Sequence, residues 1–338
     1  MKSPITGNEM SVLKKTEKLT FKKDEFEIVY HYYFDEESNL EFTDAKLDEL
    51  NMCQLYNSYR EKYYLPFPEE IKAIRSDYGL PANKMAEVLG FGVNVYRNYE
   101  SGEIPSESNA RLIQLARDPH EFKKLLKLSG VYEPREQDFI TERIDKLIHE
   151  RKRSSSRAVE TYLMSGDSKP NEFTGHRVPS LDRFMHMVVF FAERVKPWKV
   201  KMNKLLFYSD FLNYMKSCQS ISGARYMAIQ RGPVPKKFDA LFNETADRGL
   251  VDIHYEIFED SSNQKEGYGQ QFRPIDTQFD ADLFSESELK TLETVVQKFG
   301  NMSTSEIIKA SHLETAWKEN ECDKKEISYR YSFELINV

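Results

Sequence analysis

The sequence predicts a mainly α-helical protein with small β elements and more than one domain. Apolar residues recur at helical spacing over most of the chain, whereas the alternation typical of strands is confined to short segments. A length of 338 residues exceeds what one ordinary hydrophobic core supports. Glycine, proline, serine and asparagine accumulate between Ser165 and Ser180, which predicts a flexible linker and a division of the chain near residue 170.

The composition is typical of a globular protein without a membrane-spanning segment. Hydrophobic residues make up 40% of the chain and charged residues 30%. No apolar run approaches the roughly 18 residues that a membrane helix needs, and the N-terminus lacks the apolar segment of a signal peptide. The three cysteines, Cys53, Cys218 and Cys322, share no ligand spacing. We therefore expect a cytoplasmic protein without disulfides, metal or cofactor.

Residues 1–65 are expected to form a small α/β domain. The segment Phe26 to Phe34 is rich in aromatic and β-branched residues, which favours strands in a small sheet or hairpin. From Asp44 to Tyr64 the apolar residues fit a helical stripe. Pro66 and Pro68 end this stripe and start the next helix.

Residues 66–130 are expected to fold as a five-helix domain that contains a helix-turn-helix. Helical spacing of apolar residues in Met85 to Leu89 ends at Gly90, and Val93 to Glu100 opens a second helix. Ala86 would allow the two helices to cross closely, and Gly90 could adopt the positive φ of a tight turn. Helices over 106–116 and 119–128 would support this pair, with Ser106 as an N-cap.

The second helix of this pair carries the candidate DNA-binding surface. Asn94, Arg97 and Asn98 stand at i, i+3 and i+4 and share one face, while Val95 and Tyr99 would pack inward. Asparagine and arginine are the side chains that read adenine and guanine edges in a major groove. The alternative is a helical hairpin with a polar outer face. The candidate contacts with bases and phosphates are Asn94, Arg97, Asn98, Lys84 and Ser101.

The net charge of −7 does not exclude DNA binding, because binding depends on the local patch. Without two-fold symmetry and a good local field, we expect only weak binding at physiological salt. A homodimer through the N-terminal half would supply that symmetry. The basic residues in and around the helix-turn-helix are Lys72, Arg75, Lys84, Arg97, Arg111 and Arg117.

Residues 131–180 are expected to connect the two halves of the chain. Pro134 to Met164 combines many charges with apolar residues at helical spacing, which predicts a long helix serving as a connector or a dimer arm. The basic triplet Arg151 to Arg153 could touch phosphates, but a solvated helix face is the better interpretation. The flexible linker follows.

Residues 181–338 are expected to form a mostly helical domain with a small β-sheet. Leu181 to Val195 and Trp198 to Met215 have the patterns of apolar and amphipathic helices. Tyr226 to Ile229 predicts a short strand, and the proline-rich segment Arg231 to Pro235 predicts an obligatory break after it. Helices over 236–250, 285–299, 303–310 and 312–319 and a β element within 251–274 complete the domain.

The sequence contains no catalytic motif, and we do not predict an enzyme. It has no HExxH, no glycine-rich phosphate loop after a strand and no nucleophile elbow. His186 falls in an apolar helix, where a lone histidine is more often a packed residue than a ligand. Asp210 lies among aromatic residues, where a carboxylate is expected to bond to the backbone or to a lysine.

Aromatic residues of the C-terminal half could belong to its core or contact a partner protein. Methionine and aromatic side chains serve both purposes. We expect core packing for most of those on the helix after Trp198, and a partner surface near Trp198 and the turn at Arg231. The candidate partner contacts are Trp198, Tyr208, Tyr214, Arg231 and Pro233.

The N-terminal part resembles the MqsA-type antitoxins of bacterial toxin–antitoxin systems. The resemblance spans about residues 1–120 and rests most specifically on Gly92 to Val95 and Tyr99 to Gly102. It implies a zinc-binding N-domain and an XRE-like helix-turn-helix that dimerises and binds operator DNA. The family's base-reading asparagine falls on Asn94 and its base-reading arginine on Asn98, with an arginine displaced to Arg97. The positions of the family's four zinc-binding cysteines are occupied by Ser3, Thr6, Tyr32 and Asp35, so the resemblance implies that the zinc site is lost.

The C-terminal part resembles the Panacea domain, also called SocA-like, of antitoxins that neutralise many unrelated toxins. The resemblance covers about residues 180–330 and rests on Lys201 to Asp210, Arg231 to Pro235 and His312 to Lys318. One departure is Arg231, because the family often has an aromatic residue before Gly-Pro-Val. The resemblance implies that this domain binds a cognate toxin protein encoded by the adjacent gene.

Together these patterns predict an antitoxin that neutralises its toxin by direct binding and represses its own operon. Two recognition helices about 34 Å apart in a dimer would require a palindromic operator. One alternative is a transcription regulator that senses a ligand, which predicts a sizeable pocket lined by convergent polar groups. Another is a proteolytic adaptor, whose partner would be degraded instead of persisting in a complex.

Overall fold

The computed structural model describes residues 1–153, 156–164, 169–260, 265–276 and 279–338. The chain is mainly α-helical with small sheets, which confirms the predicted fold class. It forms two compact units, Met1–Arg157 and Ala158–Val338, so the division lies ahead of the expected linker. Among the described helices, none has the length and apolar character that crossing a membrane requires.

The first unit begins with a three-stranded antiparallel sheet backed by a helix. Strands β1 (Val12–Phe21), β2 (Asp24–Asp35) and β3 (Leu40–Phe42) pair in that order. Helix α1 (Ala45–Tyr63) packs across β2, with Asp44 as its N-cap accepting a hydrogen bond from the Leu47 N–H at 2.9 Å. Alternate residues of β2 face the helix, and the shared core contains Phe26, Ile28, Leu55 and Tyr59.

A hydrogen-bonded cluster around Asp35 joins the N-terminal loop to the end of β2. The hydroxyls of Ser3 and Thr6 both donate to the Asp35 carboxylate, the latter at 2.8 Å. The N–H groups of Glu37 and Ser38 donate to its other oxygen at 3.1 and 3.4 Å. Three of the four positions that the resemblance aligns with zinc ligands therefore meet, but they do not fit zinc, because they offer neither thiolate nor imidazole.

Acidification is expected to weaken this cluster. The donated hydrogen bonds, led by that of the Ser3 hydroxyl, hold the pKa of Asp35 at about 2, below its usual 3.8. A depressed pKa contributes stability that is present above about pH 4 and lost as the pH falls through 2. Chemical denaturation between pH 5 and 2 should show a smaller loss of stability for Asp35→Asn than for the unaltered chain. Glu36→Gln, at an exposed neighbouring position, should keep the full pH dependence.

Five helices follow over residues 68–129, all of which the structure describes. They are α2 (Pro68–Tyr78), α3 (Ala82–Val88), α4 (Val95–Glu100), α5 (Glu107–Leu115) and α6 (Pro119–Ser129). Met85 and Ala86 of α3 are fully buried, so the small side chain of Ala86 permits close packing of the α3–α4 pair. Gly90 has a φ of +73° in the turn after α3, a conformation that costs glycine little.

Helix α7 (Pro134–Arg153) belongs to the core of the first unit. It packs against α2 and α6, and Ile140 and Ile144 are buried in the same core as Phe122. A second helix, α8 (Ser156–Leu163), belongs to the second unit except for its first two residues. Helices α7 and α8 thus cover most of the span where one long helix from Pro134 to Met164 was predicted, and residues 154–155 between them lie outside the described residues. The apolar face of α7 packs within its own unit.

The second unit surrounds one buried helix, α10 (Lys199–Ser217). Every residue from Lys201 to Tyr214 is buried, because α9, α12, α13 and two strands pack on different sides of α10. The other elements are α9 (Leu181–Arg194), β4 (Tyr226–Ile229), β5 (Gly232–Pro235), α11 (Phe238–Asp247), β6 (Asp252–Asp260), β7 (Lys265–Arg273), α12 (Glu286–Phe299), α13 (Thr304–Leu313), α14 (Thr315–Lys318) and β8 (Glu326–Ile327), with short 3₁₀ helices at Ala281–Leu283 and Tyr329–Glu334.

The proline-rich segment after β4 is a strand, which corrects the predicted break. Residues Gly232–Pro235 form β5, which pairs with β4 in the sheet order β5-β4-β8. Prolines are tolerated there because β5 lies at the edge of the sheet, where one side of the strand has no ladder to maintain.

The described part of the expected linker packs onto the second unit. Arg177 forms a buried ion pair with Glu288 of α12 at 2.8 Å. The Ser220 hydroxyl donates to the Thr174 carbonyl at 2.7 Å. Residues 165–168 lie outside the described residues, but 169–180 form part of the folded unit, which corrects the expectation of a flexible connection there.

Candidate functional site

Helix α4 presents the three side chains chosen from the sequence on its exposed side. Asn94 is the N-cap residue, and Arg97 and Asn98 follow on the first turns, all three exposed. Tyr99 is buried and Val95 is partly buried against the same core, as expected. Tyr96, whose role was not predicted, is fully buried and donates a hydrogen bond to the Ile71 carbonyl at 2.8 Å.

The charge around α4 is more balanced than the sequence indicated. Lys84 pairs with Glu87 at 2.8 Å, and the Ser101 hydroxyl donates to the Arg97 carbonyl at 3.0 Å. Both residues expected to contact phosphates therefore already have a partner within the chain. Among the described residues, no carboxylate pairs with Arg97. The other basic residues of this region that form ion pairs are Arg75 with Glu100, Arg111 with Glu107 and Arg117 with Glu70.

Three of the five residues expected at a partner surface are buried. The Tyr208 hydroxyl donates to Glu314 at 3.1 Å, and the Tyr214 hydroxyl bonds to His176 Nδ1 at 3.1 Å. Pro233 lies inside β5 and is also buried. The expectation that these side chains form a surface was wrong, because α10 is covered on every side and β5 packs against it.

Asp210 and Glu314 organise a buried polar network. Asp210 accepts hydrogen bonds from the N–H groups of Ile221 and Ser222 at 2.7 and 2.8 Å, and from the hydroxyls of Ser222 and Tyr226 at 2.6 and 2.8 Å. Burial raises the pKa of Asp210, and these hydrogen bonds oppose the rise. Glu314 accepts from Tyr208, from the Ile336 N–H at 3.0 Å and from the side-chain amide of Asn337 at 2.8 Å. Both carboxylates therefore hold segments together, and Asp210 bonds to the backbone as predicted.

The histidine considered in the sequence does not meet these carboxylates in a ligand cluster. His186 is half-buried and accepts a hydrogen bond from the Asp280 N–H at 3.1 Å. Across the described part of the chain, no three histidine, cysteine, aspartate or glutamate side chains come together as metal ligands.

Trp198 and Arg231 meet at a cavity of about 670 Å³ in the second unit. Trp198 precedes α10 and is half-buried, and Arg231 is exposed in the turn between β4 and β5. Volumes of several hundred Å³ are typical of pockets that bind a ligand or a partner's side chain. The described lining residues are Trp198, Lys199, Val200, Asn203, Lys204, Ile229, Arg231, Val234, Phe238, Tyr255, Gly269, Gln270 and Thr304.

Lys204 gives this cavity a buried cationic group. Its side chain is fully buried, and its ammonium donates to the Pro233 carbonyl at 3.0 Å. Burial, together with the charge of Arg231, lowers the pKa of Lys204 to about 7. Lys204 was not predicted from the sequence, although a lysine directly before the apolar run Leu205 to Tyr208 is a signal that could have identified it.

The second unit is helical, and its buried polar groups hold the fold together. Its cavity opens among aromatic and cationic side chains, as is typical of a domain that binds a ligand or a partner. Residues 202–318 match the family model described as antitoxin SocA-like, Panacea domain. The matched span runs from α10 to the end of α14 and includes β4, β5 and the Arg231 turn. This match confirms the resemblance of the C-terminal part. Neither the curated proteins nor the solved structures gave a match to the chain.

Proposed function

We propose that this protein is an antitoxin that neutralises a cognate toxin, encoded by the adjacent gene, through direct contact with its second unit. The observation that carries the proposal is the family match over residues 202–318. The cavity supports the same interpretation, because it lies within the second unit and its described lining includes three aromatic side chains and one arginine, residue types that are enriched at protein interfaces. Trp198 and Arg231 are the proposed toxin contacts among the five residues first chosen.

The first unit is proposed to bind operator DNA and to repress the operon. The exposed side chains of Asn94, Arg97 and Asn98 support this role, since buried tyrosines on the opposite face of α4 hold that surface in place. Homodimerisation is part of the proposal, because a single copy, in which most nearby basic side chains form ion pairs, is expected to bind DNA weakly. Exposed Leu128 and Phe139 offer apolar surface for a second copy.

Growth after co-expression tests the neutralising role. The full chain should restore growth to cells that express the neighbouring gene, and the chain carrying Asn94→Ala and Arg97→Ala should restore it equally well. If the neighbouring gene product does not impair growth, the antitoxin proposal is wrong. Failure of the double variant alone, with its fold intact, would contradict the division of roles between the units.

The second candidate is a transcription regulator that senses a ligand, and the cavity of about 670 Å³ is the observation that favours it. This candidate requires a harmless neighbouring gene product and operator binding that changes with a small molecule. A proteolytic adaptor would instead remove the partner protein from cells in a protease-dependent way.

A further inference from the structure

The cavity next to Trp198 carries positive charge that no described acidic residue on its lining neutralises. Of its three basic lining residues, Lys199 forms an ion pair with Asp239 of α11. Arg231 and Lys204 have no carboxylate partner among the described residues. The single hydrogen bond found for the Lys204 ammonium goes to a neutral carbonyl, although an ammonium has three donors.

The surroundings of Lys204 add further polar groups. His312 of α13 stacks on Trp317 at 3.8 Å, and its buried Nε2 has no hydrogen-bond partner among the described residues. The buried amide of Asn203, which also lines the cavity, donates to the Lys199 carbonyl at 3.0 Å, while its Oδ1 is unsatisfied within the described part. A buried cation and unsatisfied polar atoms at one site are costly unless a ligand compensates them.

Aromatic side chains form the rest of the cavity. Trp198 and Phe238 line it, and Tyr255 on β6 is 61% exposed at the same site. Lys199 lies 5.4 Å from the centroid of the Phe238 ring, which holds that ring near the cationic groups. The site therefore combines an apolar wall with an uncompensated positive charge.

We propose that this cavity binds an acidic side chain of the partner protein, with its carboxylate against Arg231 and Lys204 and a neighbouring apolar side chain against Trp198 and Phe238. The inference rests on the proposed function for its partner, but the chemistry of the site can be tested without that partner. Charge complementarity selects the occupant, because a carboxylate supplies the negative charge that the described lining lacks. Arg231 makes the direct contact from the turn, and Lys204 acts from the buried side.

A dipeptide titration tests the site by itself. In the full chain labelled with ¹⁵N, N-acetyl-Phe-Asp-amide should shift the indole Nε1–H resonance of Trp198. The Phe-Asn analogue should bind at least about 10-fold more weakly, since it lacks the charge. Arg231→Glu should abolish the shift, whereas Lys298→Glu, on the exposed face of α12, should not.

Two results would overturn the proposal. Equal binding of the Phe-Asp and Phe-Asn peptides would show that the charge does not select the ligand. Binding of glutarate or inorganic phosphate as strong as that of the Phe-Asp peptide would assign the cavity to a small anion instead. If the neighbouring protein proves to be a toxin, Arg231→Glu should lower its affinity at least about 30-fold, as expected for reversing one charge of a desolvated pair.

Binding of the Phe-Asp peptide should weaken as the pH rises. Anion binding requires protonated Lys204, whose pKa is about 7 in the unbound chain. The groups around it are Arg231, Pro233 and His312. Burial and the charge of Lys204 lower the pKa of His312 below its usual 6.5, and the nearby carboxylate of Glu321 opposes this shift. Between pH 6 and 8.5 we expect a loss of affinity of about 10-fold or more. Lys204→Met should bind more weakly and lose this pH dependence; an unchanged dependence would contradict the role of Lys204.

Discussion

Replacing Asp210 by alanine is expected to lower the free energy of unfolding of the second unit by about 3 to 5 kcal/mol. The substitution leaves two N–H groups and the hydroxyls of Ser222 and Tyr226 without their acceptor in a fully buried position. The unit would also lose the connection between α10 and the segment that leads into β4. Urea unfolding followed by tyrosine and tryptophan fluorescence measures the change.

Asp247→Ala is the matched control for this prediction. Asp247 is exposed at the end of α11, and its loss should change the free energy of unfolding by less than about 0.5 kcal/mol. Asp210→Asn keeps one acceptor oxygen but directs an amide group at hydrogen-bond donors, so it should also destabilise. If Asp210→Ala unfolds at the same urea concentration as the control, the network is not what holds this unit together.

Replacing both Asn94 and Arg97 by alanine is expected to weaken specific operator binding at least about 30-fold. Loss of one good contact with a base edge costs about 1 to 3 kcal/mol, and the two side chains are exposed on the same side of α4. Neither change removes a buried contact, so the thermal stability of the chain should stay nearly constant. Fluorescence anisotropy with DNA from the promoter region measures the affinity, at one stated salt concentration.

Arg135→Ala together with Gln137→Ala supplies the control for DNA binding. It removes one arginine and one amide from α7, outside the α3–α4 pair, and should change the affinity less than about three-fold. Equal losses in both double variants would mean that the protein attracts DNA only by its charge. Undiminished binding after the α4 substitutions would exclude α4 as the recognition surface.

Local signals in the sequence were sufficient to predict the α3–α4 pair of the first unit and its exposed side. The stop at Gly90 and the small residue at Ala86 depend on neighbouring residues alone, and both occur where they were expected. The exposed side of α4 also follows from spacing along one helix. Asp44 and Ser106 are N-caps whose side chains accept backbone hydrogen bonds, which is again a local interaction.

Features set by long-range packing were not predictable in the same way. Tyr208 and Tyr214 were predicted as surface residues because helical spacing separates an inner from an outer face only when one face remains exposed. Helix α10 has no exposed face over Lys201–Tyr214. Residues 169–180 have the composition of a linker, yet Arg177 pairs with Glu288, which is distant in sequence. The prolines of β5 suggested a break because an edge position cannot be recognised before the sheet is known.

The candidate binding site was predictable from the sequence only in part. Trp198 and Arg231 were chosen from the sequence, and the structure brings them to one cavity. Lys204, Phe238 and Tyr255 were missed, because the cavity forms only when α10, α11 and the β6–β7 hairpin pack together. The charge of Lys204 is notable because no carboxylate pairs with it among the described residues around it.

The most direct test of the central claim is whether the chain and the neighbouring gene product form a stable complex in cells that survive. The proteins should be co-expressed, the chain purified through an affinity tag under native conditions, and the complex examined by size-exclusion chromatography. Restored growth together with a stoichiometric complex, weakened by Arg231→Glu but not by Lys298→Glu, is the predicted result. Restored growth without any complex, or with degradation of the partner, would contradict neutralisation by direct binding.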